Sequence, residues 1–280
     1  MSLYRLLKNK TKLVRKRALH RLRIFLKYSW DRVHKEPVFI ITVRRTGSNL
    51  LLEYLNSIPG VSFAPEVLNK SMFYGLRARH VSKAAALRHI RHSINDCAHR
   101  ICGGKLVKVH LDAHRITLED LKKSFPQARF IILYRESLLE QFVSLKIAET
   151  TNRWQSTDTL TLHAPIHVDK GELEEYCKKM KAFYEEILEK TWLENCSLVL
   201  GYEELAANVQ KTFDEKIFPF LGLPVSRVNC RLKKQNTRRL SETIDNYNEI
   251  SLLRTRSWLW QSYADKSLKK EERLLVSSSR

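Results

Sequence analysis

The chain is poor in residues that break structure. Its 280 residues include only 8 glycines and 7 prolines. No low-complexity linker divides it and no internal repeat is found. A hydrophobic content of 43% fits one large domain, or a domain with an added arm, around a sizeable core. No apolar run reaches the ~20 residues that a membrane-spanning helix needs. No unbroken apolar stretch precedes a small-residue cleavage site near the N-terminus, so no signal peptide is expected. The five cysteines, Cys97, Cys102, Cys177, Cys196 and Cys230, are odd in number and scattered. No spacing among them suits a zinc site or a redox pair, and the simplest expectation is a reduced, cytoplasmic setting.

Acidic residues are also scarce. Lys and Arg number 50 against 30 Asp and Glu, a net charge of +20. Residues 1–35 hold 12 basic residues and one acidic residue, Asp31, so this arm carries +11 and the remainder +9. Along the arm Leu7, Val14, Ala18, Leu22, Phe25 and Val33 recur near helical spacing. Two readings stay open: a helix docked on the domain's own surface, or a basic amphipathic helix that contacts a membrane surface or an acidic partner. A nucleic-acid-binding protein would also be basic. Against it, over half of the excess charge sits in the arm and no binding motif accompanies it. Residues 267–280 read as a fraying tail, which leaves 36–266 as the domain.

Within that domain, short apolar runs alternate with helical patterns. Strands are expected at 38–43, 61–63, 105–110, 129–134 and 197–200. Helices are expected at 48–57, 82–98, 118–124, 138–148 and 172–194, and over 205–221 apart from a break at Pro219. Residues 154–170 show no clear period and read as an acceptor-facing loop. The pattern predicts an α/β fold, a mostly parallel central sheet flanked by helices. Ligands in such folds bind beyond the carboxyl ends of the strands.

Pro37 to Leu52 is the most informative stretch. Five of the six residues Val38–Val43 are apolar and none is charged, which suits an interior strand. Arg44-Arg45-Thr46-Gly47-Ser48-Asn49 follows as a tight turn into a helix. Gly47 permits an unusual backbone conformation, and Thr46 and Ser48 are candidate caps. The helix N-terminus offers N–H groups to an anion, and Arg45 adds a cation. A phosphate-transferring P-loop is disfavoured, because no Lys-Ser/Thr pair follows the glycine. The strand 129–134 ends in Arg135, where such an enzyme places a magnesium-binding Asp. Ser137 is the expected cap of the next helix, and Ser144 lies two turns in, on the face of Ser137 and Gln141.

The Arg44–Asn49 turn resembles the 5′-phosphosulfate loop of sulfotransferases that use 3′-phosphoadenosine 5′-phosphosulfate (PAPS). Arg44 stands where that family usually has Pro, and Asn49 where it often has a hydroxyl. In the family a strand-end Arg and a Ser eight or nine residues later hold the nucleotide's 3′-phosphate; here these are Arg135 and Ser144. The basic segment Arg231–Glu242, with Arg238 and Arg239, is similar to the late loop that closes over the phosphates in bacterial-type members. The resemblance spans about Pro37 to Tyr247 and implies a P-loop-like sulfotransferase fold. It implies PAPS as cofactor, held by Arg45, Thr46, Gly47, Ser48, Asn49, Arg135, Ser144, Arg238 and Arg239, and no metal. The acceptor it implies is a hydroxyl, of a sugar or glycolipid. Two candidates arise for the catalytic base. Glu66, in Phe63-Ala64-Pro65-Glu66, matches the Glu of bacterial-type carbohydrate sulfotransferases. His110, in Lys108-Val109-His110-Leu111, is similar to the Lys-Thr-His-Leu of cytosolic members. Glu66 is favoured, with Arg45 stabilising charge at the sulfuryl group. The competing readings are a small-molecule kinase, a basic nucleic-acid-binding protein and an inactive nucleotide-binding module.

Overall fold

The computed structural model describes residues 34–69, 81–152, 154, 165–231 and 239–251. The expected arm (apart from residues 34 and 35), Arg238 and the tail lie outside the described residues. Five strands are present: β1 (Glu36–Thr42), β2 (Val61–Ala64), β3 (Ile101–Val107), β4 (Arg129–Tyr134) and β5 (Ser197–Gly201). They form one sheet in the order β2-β3-β1-β4-β5. From Pro37 onward every residue of β1 is buried, as its unbroken apolar run requires of a strand covered on both faces. The described residues cluster into two compact units, 34–39 with 58–129, and 40–57 with 130–251.

In the first unit β2 pairs in parallel with β3, Val61 opposite Ile101 and Ala64 opposite Gly104. Helix α2 (Lys83–Asn95) is capped by Ser82 and buries Ala86, Ile90 and Ile94, one stripe at four-residue spacing. Two short helices follow, α3 (Lys108–Ala113) and α4 (Leu118–Ser124). Thr117 and Asp120 form a capping box at the start of α4. Phe125 closes the unit edge-on against Phe39, with ring centroids 5.2 Å apart.

In the second unit β4 and β5 are parallel, Phe130 opposite Ser197 and Tyr134 opposite Gly201. The helices are α1 (Ser48–Asn56), α5 (Leu138–Thr151), α6 (Lys170–Leu188), α7 (Tyr202–Ala207), α8 (Val209–Thr212), α9 (Phe218–Leu221), α10 (Leu240–Thr243) and α11 (Tyr247–Ile250). Helix α5 turns Leu139, Phe142, Val143 and Ile147 into a core with Val168, Leu173, Ile244 and Ile250. Helix α6 is fixed by Tyr184, whose buried hydroxyl donates to Leu133 O at 2.9 Å.

Several sequence expectations need correction. Lys105–His110 is not one strand: β3 ends at Val107, and His110 lies on α3. The apolar alternation around Lys108 hid a helical turn that starts directly from the strand. The long helix expected at 172–194 stops at Leu188, and Thr191–Leu193 form a separate 3-10 turn. The helical stretch 205–221 is not broken at Pro219. Pro219 lies in the first turn of α9, and the interruptions are Asn208, non-helical between α7 and α8, and a π-helical turn at Phe213–Ile217. Residues 155–164 of the expected loop lie outside the described residues, but Ile166 pairs with Ile244 in an isolated bridge. All five cysteines are free, and the buried Cys102 thiol donates to Ile94 O at 3.8 Å. Among the described residues no helix is long and apolar enough to cross a membrane.

Gly103 in β3 shows how closely the backbones approach. A Cβ there would lie 1.7 Å from Val38 O, and backbone cannot swing aside as a side chain can. Gly103→Ala is therefore expected to destabilise the protein at the upper end of overpacking, about 3 kcal/mol. Urea unfolding of the purified variant checks this. Unchanged stability would mean that the strands do not pack as described.

Candidate functional site

The second unit holds the phosphate-type motif. Between β1 and α1 the chain takes two left-handed residues, Arg45 (φ 65°) and Gly47 (φ 77°). Glycine tolerates this region, whereas arginine stores strain there, a feature that clusters at functional sites. Gly47 is needed for a second reason, because a Cβ on it would lie 2.2 Å from the Tyr202 ring. Thr46 is fully buried. Its hydroxyl donates to Val43 O at 3.2 Å and shares a hydrogen bond with Thr42 Oγ1. Thr42 Oγ1 in turn lies 3.2 Å from Leu133 O of β4. Thr46 therefore anchors the loop and does not cap the helix. Ser48 does not cap it either: Gly47 is the N-cap, and it makes no side-chain cap hydrogen bond. First-turn N–H groups have no acceptor within their own helix, so this end of α1 keeps the partial positive charge that attracts an anion.

Two arginines complete the cradle. Arg135 directly follows β4 and is 7% exposed. Its Nη1 donates to Arg45 O at 3.3 Å and its Nη2 to Glu140 Oε2. Its Nε is 3.6 Å from Glu203 Oε1, and its guanidinium lies 4.8 Å from the centre of the Tyr202 ring. Arg45 donates from Nε to Ser144 Oγ at 2.9 Å and from Nη1 to Trp154 O at 2.9 Å. Burial, then the charge of Arg135, push the Arg45 pKa below its ordinary value. Arginine stays protonated regardless, so this unfavourable pairing of like charges persists, and a bound anion relieves it. Helix α5 carries the supporting residues on one face. Ser137 caps it by accepting from Glu140 N. Buried Gln141 donates to Arg44 O at 2.8 Å, while its Oε1 has no hydrogen-bond partner among the described residues. Arg135 and Ser144, expected to act together, are linked through Arg45. Asn49 is half-buried in the first turn of α1. Arg239 is exposed, and its carbonyl accepts from Thr243 Oγ1 at 2.9 Å.

The first unit holds both candidate bases. Glu66 follows β2 with φ 32°, again left-handed. Its Oε1 is 2.9 Å from the ammonium of Lys105, which is 2% exposed, and Asn69 donates to its Oε2. Burial pushes the Glu66 carboxyl up. The Lys105 charge, the hydrogen bonds from Asn69 and Lys105, and the charge of His110 outweigh that and hold it below the usual carboxylate range. His110 is half-buried on α3. Lys105, Glu140, Tyr202 and Glu203 were not read from the sequence. A lysine inside an otherwise uncharged strand was the available signal for Lys105, as was a Tyr-Glu pair directly after β5 for the last two.

A family model described as "Sulfotransferase family" matches residues 37–227. Two curated relatives, each called "Nodulation protein H", come from Rhizobium meliloti and from its strain 1021. The first is 25% identical over 226 residues, 76% of this chain and 89% of the relative. The second is 25% identical over 227 residues, 77% and 90% respectively. Among solved structures, a sulfotransferase from Alicyclobacillus acidocaldarius matches with a TM-score of 0.45 and 15% identity, over 73% of this chain and 87% of the other. The sulfotransferase domain of the Synechococcus PCC 7002 olefin synthase matches with a TM-score of 0.45 and 18% identity, over 79% and 84%. The family model takes in well over half of the chain, and the protein belongs to the sulfotransferase family.

Proposed function

We propose that this sulfotransferase takes a sulfuryl group from PAPS and places it on a hydroxyl of a sugar or glycolipid. The observation that carries the donor assignment is half-buried Arg45 and buried Arg135, whose charges oppose each other, beside the glycine-capped start of α1 at the carboxyl ends of β1 and β4. That end of the sheet is where its strand order reverses direction, the usual ligand crevice of such folds. These residues fit the donor: two cations and a helix N-terminus suit a nucleotide with anionic groups at both its 5′ and 3′ positions. In this reading the Arg45–Asn49 turn holds the 5′-phosphosulfate. Arg135 and Ser144 hold the 3′-phosphate, and Arg238 and Arg239 approach it from the late basic segment. When bound, PAPS supplies the activated sulfuryl group. Arg45 and the first-turn N–H groups of α1 stabilise the charge that develops as it leaves. Glu66 accepts the proton of the acceptor hydroxyl. It is already ionised at neutral pH, so no proton has to be removed from it first. The resemblance of Phe63–Glu66 to carbohydrate sulfotransferases supports the sugar or glycolipid acceptor.

Adenosine 3′,5′-bisphosphate is expected to raise the melting temperature by an amount equivalent to about 2.7 kcal/mol at 100 times its Kd. ATP with magnesium should do much less. Arg135→Ala should weaken the bisphosphate far more than adenosine 5′-phosphate. Equal stabilisation by bisphosphate and ATP in a thermal-shift titration would remove the donor assignment and favour the kinase reading.

Glu66→Gln keeps shape but cannot take a proton, and a positioned base contributes about 10²–10⁴-fold. Turnover should fall on that scale while bisphosphate binding persists, and His110→Asn should cost less. The reverse ranking in a sulfuryl-transfer assay would make His110 the base. The pH dependence follows from the depressed Glu66 carboxyl. The free glutamate value is about 4.3, and a lowered folded value places the acid limb of kcat/KM below it. The same group contributes folding stability that is present above the unfolded pKa and lost as pH falls through the folded one. Glu66→Gln should therefore flatten the acid side of the stability–pH curve, measured by urea unfolding between pH 3 and 6 (about the carboxylate range). An unchanged curve would mean that Lys105 does not hold Glu66 as described.

A further inference from the structure

Arg135 has a carboxylate on it already. Glu140, in the first turn of α5, accepts from its Nη2, and Glu203 lies 3.6 Å from its Nε. The two acids are not equivalent. Glu203 accepts the backbone N–H groups of Glu136 at 2.8 Å and Ser137 at 3.3 Å, so it is tied into the start of α5 and cannot leave without orphaning both. The Glu140 side chain is 40% exposed, so its carboxylate can turn into water. The orientation of Arg135 does not depend on it. Glu203, the Arg45 carbonyl and the face of Tyr202 hold the guanidinium on three other sides.

We propose that Glu140 is an affinity- and specificity-setting residue of the nucleotide site, an internal anion that the 3′-phosphate must displace from Arg135. The inference rests on the reading of Arg135 as receiver of that phosphate. A phosphate monoester carries nearly two charges against one and offers more acceptor oxygens, so it wins the exchange. Part of its interaction with Arg135 then only replaces one that already existed. A nucleotide without a 3′-phosphate leaves the Glu140–Arg135 pair intact and incurs no such cost. Glu140 therefore narrows the margin by which the site prefers a 3′-phosphorylated nucleotide, and it shortens the stay of the bisphosphate after transfer. Such a built-in competitor is a form of specificity control by repulsion.

Isothermal titration of the full chain with adenosine 3′,5′-bisphosphate and with adenosine 5′-phosphate tests this in the wild type, Glu140→Gln and Glu140→Ala. Both variants should bind the bisphosphate about 3- to 10-fold tighter, with the affinity for adenosine 5′-phosphate unchanged. Two substitutions of different size guard against a packing artefact, and melting curves confirm that each is folded. Unchanged or weaker bisphosphate binding in the folded variants, with the wild type still preferring the bisphosphate, overturns the role of Glu140 alone. If the wild type binds the two nucleotides equally, the reading of Arg135 fails, and this inference fails with it.

Discussion

Two arginines whose charges oppose each other set the terms for the rest of the second unit. Arg45 and Arg135 repel, Arg45 half-buried and Arg135 buried, and such charges are costly unless they are partnered. The surroundings are arranged to make this tolerable. Glu203 is fixed by two backbone N–H groups so that it can face Arg135, Tyr202 offers its ring to the same guanidinium, and Ser144 accepts from Arg45. Gly47 is required because Tyr202 occupies the space its side chain would need. Thr46 spends its hydroxyl on the base of the loop and so does not cap α1. These contacts offset part of the cost, and the repulsion that remains between the two arginines favours an anion.

The first unit solves a related problem with one charge of each sign. Lys105 rises from a strand whose other residues are all uncharged, and it is almost completely buried. Such an ammonium persists only with a partner, and Glu66 is placed to be one. Removing a single member of a buried pair typically costs about 3–5 kcal/mol, so the pairing constrains the position of Glu66 strongly. The left-handed backbone at Glu66 is held by the same contacts, together with Asn69 three residues on. A carboxylate held ionised in this way has a low proton affinity and a fixed position.

Much of the fold could be read from the sequence because its signals are local. The apolar runs of β1 and β4 and the cap at Ser137 each depend on a few adjacent residues, and all are found in place. Arg135 was identifiable for the same reason: a cation directly after an apolar strand is visible without knowing its neighbours. Tyr202, Glu203 and Lys105 were not, because their importance arises from partners far away in sequence: 155 residues separate Tyr202 from Gly47 and 39 separate Lys105 from Glu66. The assignment of His110 to a strand failed because Leu106–Leu111 alternates in a way that fits a strand as well as a short helix. Thr46 was misread because a hydroxyl before a helix usually caps it, whereas here the turn points it inward to Val43.

The central claim is that the chain moves a sulfuryl group, and the direct measurement is incubation with sulfur-labelled PAPS and a panel of oligosaccharide and glycolipid acceptors. Label should appear in an acceptor as an ester that acid hydrolysis releases as sulfate, with one 3′,5′-bisphosphate formed for each ester. The account is contradicted if PAPS yields no labelled acceptor while ATP with magnesium delivers its terminal phosphate to the same panel.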